Sequence, residues 1–233
     1  KELDSSLLHP IGGVNHLGSF SLVFNGHIPR IDGLSKRLRL AFSYMNDTDF
    51  ICKYISNSTC ESWEDVFISL MGDIPGTYCL NIIANKCLYV IRDRYGIRPL
   101  CIGENGDGWY ISSESSAFTN QTWKYDVKPG TILKINEQIT TIHTYKSSKH
   151  HCIFEYIYFM NKNTIADGFS VYSSRKDMGK NLAKQEKSMF DDNTLVVGSP
   201  NSGILAGKGY AEAMNIPYSQ VLQKNKNTNR SFI

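Results

Sequence analysis

Three short stretches of this chain carry residue types that chemistry could use. The first is Asn25-Gly26, which follows the apolar run Phe20-Ser-Leu-Val-Phe24. Asn-Gly is a strong turn dipeptide, and a turn is its ordinary meaning. The pair can also set an exposed backbone N–H beside a side-chain amide, two donors aimed at one point, as an oxyanion hole requires. The second stretch is Ser199-Pro-Asn-Ser-Gly203, small residues between a strand pattern and a helical one. Free N–H groups and a helix dipole at such a place suit a phosphate, and an ordinary βα turn has the same composition. The third is Lys224-Asn-Lys-Asn-Thr-Asn-Arg230, with three cations in seven residues. It reads either as a solvated basic tail or as a loop that closes over a phosphorylated ligand.

Behind these stretches stands a corner, Ile91-Arg-Asp-Arg-Tyr-Gly-Ile-Arg-Pro-Leu100. A strand ends in Arg-Asp-Arg, reverses at Gly96, and resumes past Pro99 in extended form. Alone it would be a surface hairpin with a salt-bridged tip. Before it, the spacing of Leu34, Leu38 and Phe42 predicts a helix over 33–44. Asn46-Asp-Thr-Asp49 breaks that helix and opens the next one, with Asp47 a candidate N-cap. Ser62-Trp-Glu-Asp65 resembles a capping box for a third helix, whose face is Trp63, Val66, Phe67 and Leu70. From Gly76 to about Ile142 the texture is strand-like, at 78–84, 87–92, 100–103, 109–113 and 131–135, with turns at 85–86, 105–108 and 129–130. Antiparallel hairpins after helices give an α+β layered domain.

The remainder reads differently. Residues 147–151 are a polar connection, and the aromatic run 152–159 is expected to be buried. A helix within 167–189 is expected to bury Val171, Met178 and Leu182. A strand at 195–198, the small-residue loop, a helix over 204–215 and a strand from Tyr218 make a β-loop-α-β unit, the building block of a parallel sheet. The boundary falls between Thr144 and Val171, giving domains of 1–150 and 151–233. The expected fold class is α+β followed by α/β.

Composition excludes more than it assigns. Apolar residues are 41% of 233, enough for one large or two small cores. A net charge of +3 gives no argument for nucleic acid or a membrane surface. No apolar run is long enough to span a bilayer, Lys1-Glu-Leu-Asp4 is no signal peptide, and the first residue is not Met. Cysteines at 52, 60, 79, 87, 101 and 152 form no CxxC pair. They read as free thiols in a reducing cytoplasm.

Taken in order, these pieces resemble the amidophosphoribosyltransferase family. The corner 92–100 resembles that of N-terminal-nucleophile amidotransferases in general, asparagine synthetases included. Cys152-Ile-Phe-Glu-Tyr-Ile-Tyr-Phe159, Ile165-Ala-Asp-Gly-Phe-Ser-Val-Tyr172, Arg175 and Met178-Gly179 are similar to this family in particular. So are Ser199-Pro-Asn-Ser-Gly203, Gly209-Tyr-Ala-Glu212, Ile216-Pro-Tyr218, Lys224-Asn225 and Arg230-Ser-Phe-Ile233. The resemblance implies a sandwich of antiparallel sheets between helices that hydrolyses glutamine, followed by a parallel-sheet phosphoribosyltransferase domain. There the ammonia displaces pyrophosphate from Mg-bound phosphoribosyl pyrophosphate, in the first step of de novo purine synthesis. By the same resemblance Asn25 and Gly26 are the oxyanion hole, and Asp47 holds the α-ammonium of glutamine. Ser202 and Gly203 belong to the pyrophosphate loop, with Ser202 near Mg. Lys224, Lys226 and Arg230 open a loop over the ribosyl substrate. Cys152 matches a ligand of the 4Fe–4S cluster that some members carry. A homo-oligomer is implied as well.

The departures set the remaining expectations. None of the six cysteines is followed by glycine, so the family's Cys-Gly-Ile/Val nucleophile is not in this sequence. Its glutamine-clamping arginine and its paired aspartates are also missing. Asn201 replaces an acidic residue, His27 an asparagine and Asn229 a glycine. The expectation is a piece of a longer enzyme, cut at both ends and inactive alone. The alternative is a catalytically silent paralogue that binds or regulates.

Overall fold

The computed structural model describes residues 8–119 and 122–225. They divide into two compact units, one running to Ser113 and resuming over Phe118–Cys152, the other taking Glu114–Ala117 and the chain from Ile153. Lys226 and Arg230 lie outside the described residues. Among the described residues no helix is long and apolar enough to cross a membrane.

The first unit is built on hairpins. β1 (Ile11–Asn15), β2 (Gly18–His27), β3 (Thr77–Ala84), β4 (Cys87–Arg92), β8 (Thr131–Ile135) and β9 (Ile139–Thr144) form one six-stranded sheet in the order β1-β2-β3-β4-β8-β9. β5 (Cys101–Asn105), β6 (Gly108–Ser112) and β7 (Thr122–Asp126) form a second, in the order β6-β5-β7. Every pairing is antiparallel. Side-chain alternation gives the large sheet two apolar faces. Leu80, Ile82, Tyr89 and Ile91 join a core with Phe50, Ile51, Phe67 and Leu70 of the helices. Cys79, Val90 and Leu133 join Leu100, Ile102 and Val127 in another. Helices, sheet and sheet therefore stack in layers, as the hairpin pattern implied.

Those helices are α1 (Ile31–Arg37), α2 (Asp47–Ser56) and α3 (Trp63–Asp73). α3 starts as its capping pattern predicts, with the Asp65 N–H donating to Ser62 Oγ. α1 is shorter than its apolar spacing predicts, because Leu38 caps it and Arg39 takes φ 53. Phe42 and Tyr44 still reach the core from non-helical backbone, with ring centroids 5.8 and 5.1 Å from Phe50. A helical spacing was thus produced by two separate packing demands. α2 is capped by Asn46, whose Oδ1 accepts from the Asp49 N–H, so Asp47 is its first helical residue and not the cap.

The second unit holds a π-helical turn at Glu155–Phe159, a two-residue-per-strand hairpin of β10 (Ile165–Ala166) and β11 (Phe169–Ser170), then α4 (Val171–Gln185) and α5 (Gly203–Met214). The two helices approach closely at glycines. A Cβ on Gly179 would lie 1.9 Å from Ala206 O, and one on Gly209 1.9 Å from Lys176 O. That contact selects the buried face of α4, which is Val171, Arg175, Gly179 and Ala183 at i+4 spacing. Leu182, expected inside, is 59% exposed. The aromatic run 152–159 departs from expectation too. Glu155 and Tyr156 are buried, whereas Ile153, Phe154, Ile157, Tyr158 and Phe159 are exposed, Phe154 by 62%. The strands expected around 195–198 and 218–222 shrink to one parallel bridge, Val196 to Tyr218.

Candidate active site

Asn25 and Gly26 sit within β2, paired with Cys79 and Tyr78 of β3, so the turn that Asn-Gly suggested does not form. Glycine is required there for a different reason. A Cβ at Gly26 would stand 2.3 Å from Thr77 O and 2.5 Å from Tyr78 Cβ, closer than atoms can approach. The Asn25 amide points the other way and donates to Ser113 Oγ at 3.4 Å, just past β6.

Asp47 arrives at the same strand end from the first turn of α2. Its Oδ2 accepts the Ile28 N–H at 2.8 Å and faces His27 Nδ1 at 3.1 Å. A carboxylate is favourable at a helix N-terminus. Only Oδ2 is engaged among the described residues, which leaves Oδ1 open to a further donor. Asp47, some twenty residues on in sequence, thus reaches residues 27 and 28, the two that follow Asn25-Gly26. His27 and Ser113 are the members that sequence reasoning did not assign. His27 carried no signal beyond its position after Gly26, and Ser113 carried none.

The corner holds this framework in place. Arg92 is 1% exposed, and its guanidinium donates to three carbonyls: Arg98 O at 2.9 Å, Val127 O at 2.6 Å and Gly96 O at 2.8 Å. Asp93 accepts from the N–H groups of Tyr78, Tyr95 and Gly96. Burial nevertheless pushes its carboxyl above the usual carboxylate range, against the pull of those donors and of Arg92. This is interior wiring, not the exposed ion-paired tip that the stretch alone suggested.

In the second unit Ser202 caps α5 without using its side chain, so its hydroxyl is uncommitted to the helix. Gly203 begins the helix. Gly198 lets the loop close tightly, since a Cβ there would lie 2.7 Å from Ile204 Cα. Lys224 is exposed near the end of the described residues. A free hydroxyl at a helix start fits one ligand position of a Mg ion that otherwise keeps waters and phosphate oxygens. Cys152 is a half-buried free thiol. Among the described residues no three His, Cys, Asp or Glu side chains gather to hold a metal. A 4Fe–4S cluster needs four thiolates, of which Cys152 would supply one.

Residues 9–120 match the family model of a glutamine amidotransferase domain. The amidophosphoribosyltransferase of Bacillus subtilis is 34% identical over 223 residues, covering 93% of this chain and 46% of that protein. The amidophosphoribosyltransferase of Archaeoglobus fulgidus is 32% identical over 93% of this chain and 49% of its own length. Among solved structures, the glutamine phosphoribosylpyrophosphate amidotransferase of B. subtilis, complexed with ADP and GMP, superposes with a TM-score of 0.86 at 32% identity. That match covers 98% of this chain and 51% of that one. The chain spans about half the length of the curated relatives it matches. The chain is a homologue of the amidophosphoribosyltransferases, matching about half of each.

Proposed function

We propose that this chain is part of an amidophosphoribosyltransferase that takes glutamine, phosphoribosyl pyrophosphate and water to phosphoribosylamine, glutamate and pyrophosphate, opening de novo purine synthesis. The observation that carries the reading is that Asp47 bonds residues 27 and 28, directly after Asn25-Gly26 at the end of β2. In this reading the α-ammonium of glutamine binds Asp47 Oδ1. The Asn25 amide and the Gly26 N–H then donate to the oxygen of the side-chain carboxamide as it turns tetrahedral. The attacking thiolate is that of a cysteine outside these 233 residues, because none of the six here has the required setting. Ser202, Gly203, Lys224 and Arg230 receive the pyrophosphate group of the second substrate. The Ser202 hydroxyl would be one ligand of Mg, whose chemistry is to neutralise charge on the leaving pyrophosphate. A cytoplasmic homo-oligomer completes the proposal.

The test begins with the native transcript and the mature N-terminus. The expected protein starts with cysteine and releases glutamate from glutamine, and releases pyrophosphate when phosphoribosyl pyrophosphate is added. Asn25→Ala in that protein should lower kcat for glutamine hydrolysis by about 10²–10³ with little change in KM. A native protein with no glutamate release and no pyrophosphate release would sink the proposal.

A further inference from the structure

His9 lies just before β1 and belongs to no motif, yet its ring touches both halves of the candidate site. Nδ1 accepts the Phe24 N–H at 3.3 Å, one residue before Asn25. Nε2 stands 3.3 Å from Thr48 Oγ1, one residue after Asp47. The register of the sheet explains the first contact. β1 pairs from Ile11, with Leu22, and the same register sets His9 opposite Phe24. A strand that began earlier would offer a backbone carbonyl there. The imidazole nitrogen takes the N–H instead, so a backbone donor at the strand edge keeps a partner.

The second contact follows from the first. A ring nitrogen that accepts carries no proton, so in the neutral imidazole Nε2 holds it and donates to Thr48 Oγ1. Thr48 is buried, which makes its hydroxyl a fixed post. The two bonds close a frame. N–H groups of a strand alternate between its edges, so the Gly26 N–H leaves β2 on the same side as that of Phe24. Beyond the strand end the Ile28 N–H goes to Asp47 Oδ2 at 2.8 Å. The Gly26 N–H therefore lies between a donor tied to His9 and a donor tied to Asp47. His9 is itself tied, through Thr48, to the helix turn that carries Asp47.

We propose that His9 is a positioning residue for glutamine hydrolysis, fixing the span between the Gly26 N–H and the Asp47 carboxylate. The role rests on the function proposed above, in which those two groups hold the two ends of glutamine. A fixed span matters because donors placed in advance need no reorganisation as charge develops on the substrate. His9 is exposed, so its placement owes little to burial, and its two hydrogen bonds are what a substitution removes.

In the native enzyme His9→Leu should lower kcat/KM for glutamine by about 3–10-fold, the cost of one or two ordinary hydrogen bonds. kcat should fall as the Gly26 donor drifts, and KM should rise as Asp47 does. His9→Gln should restore most of the loss, because an amide offers an acceptor oxygen and an N–H donor on neighbouring atoms. On the chain of 233 residues itself, long-range ¹H–¹⁵N NMR should find the proton of the neutral His9 ring on Nε2. The Phe24 amide should exchange faster in His9→Leu than in His9→Gln or the unmodified chain. Should His9→Leu not fold, the tautomer in the unmodified chain still decides. A proton on Nδ1, or a Gln variant as poor as the Leu variant, would overturn the role. An active enzyme indifferent to His9→Leu overturns this role alone, whereas a native protein that releases no glutamate sinks the proposed function and this role with it.

Discussion

Gly26 and Arg92 do opposite jobs with the same consequence, a backbone that cannot shift near the candidate site. At Gly26 the missing side chain is the requirement, because β3 backbone fills the space that a Cβ would take. Gly26→Ala should therefore destabilise the fold by about 1–3 kcal/mol, as overpacking does in a sheet interior. The expected sign is a lower urea midpoint at unchanged m-value. At Arg92 the side chain itself is the requirement. Arg92→Met keeps most of the volume but leaves the carbonyls of Val127 and Gly96 without their donor and Arg98 O with only the Cys79 thiol. A loss of about 3 kcal/mol or more is expected, since buried acceptors left unpaired are costly. A midpoint within experimental error of the unmodified chain would show that solvent reaches those carbonyls. Asp47→Asn separates binding from folding. It should leave the urea midpoint nearly unchanged and raise the KM for glutamine of the native enzyme if Asp47 receives the substrate ammonium.

The elements were legible in the sequence where local chemistry punctuates them. β4 and β8 begin and end at the expected residues because Asn85, Lys86 and Gly130 adopt positive φ beside them. α3 announces itself through Ser62. β1, with two glycines in five residues, is a strand only because β2 pairs with it. α1 was overdrawn because Leu38, Phe42 and Tyr44 serve the core without being helical. Asp47 could not be paired with residues 27 and 28 from local signals, since the contact crosses some twenty residues of chain. The same holds for the cluster that pins α3 to the sheet. Glu64 of α3 accepts from Tyr89 of β4 at 3.0 Å and from Lys134 of β8 at 2.6 Å. Burial, reinforced by Glu64, pushes the Tyr89 hydroxyl up from 10.0 to about 12. A raised pKa in the folded state gives stability that is whole below pH 10 and is lost as pH rises towards 12. The stability difference between the unmodified chain and Tyr89→Phe should therefore shrink over that window, read as urea midpoints at stepped pH. A difference that stays flat from pH 9 to 12 would mean that Tyr89 ionises as freely in the folded chain as in the unfolded one.

At the scale of the whole molecule the two units differ in what holds each together. The first has a core of two to three layers in which Phe50, Ile51, Phe67, Leu80, Val90 and Ile102 are fully buried. The second rests on Tyr156, Met160, Ala166 and Val171, with Met178 against them, and on the glycine contact between α4 and α5. It also leaves Phe154, Phe159, Phe169, Leu182 and Val221 exposed. Buried apolar area is the main source of stability, so local opening should be easier in the second unit. Native-state hydrogen exchange is the direct measurement. Amides of β3 and β4 should exchange only through global unfolding, and those of α4 and α5 through an opening about 2 kcal/mol or more lower in free energy. Gly179→Ala sharpens the test, because its Cβ would run into Ala206 backbone. It should lower protection across 171–185 and 203–214 while leaving β3 and β4 as they were. If all four elements instead share one opening free energy, and Gly179→Ala lowers it for all of them together, the two units fold as a single cooperative body.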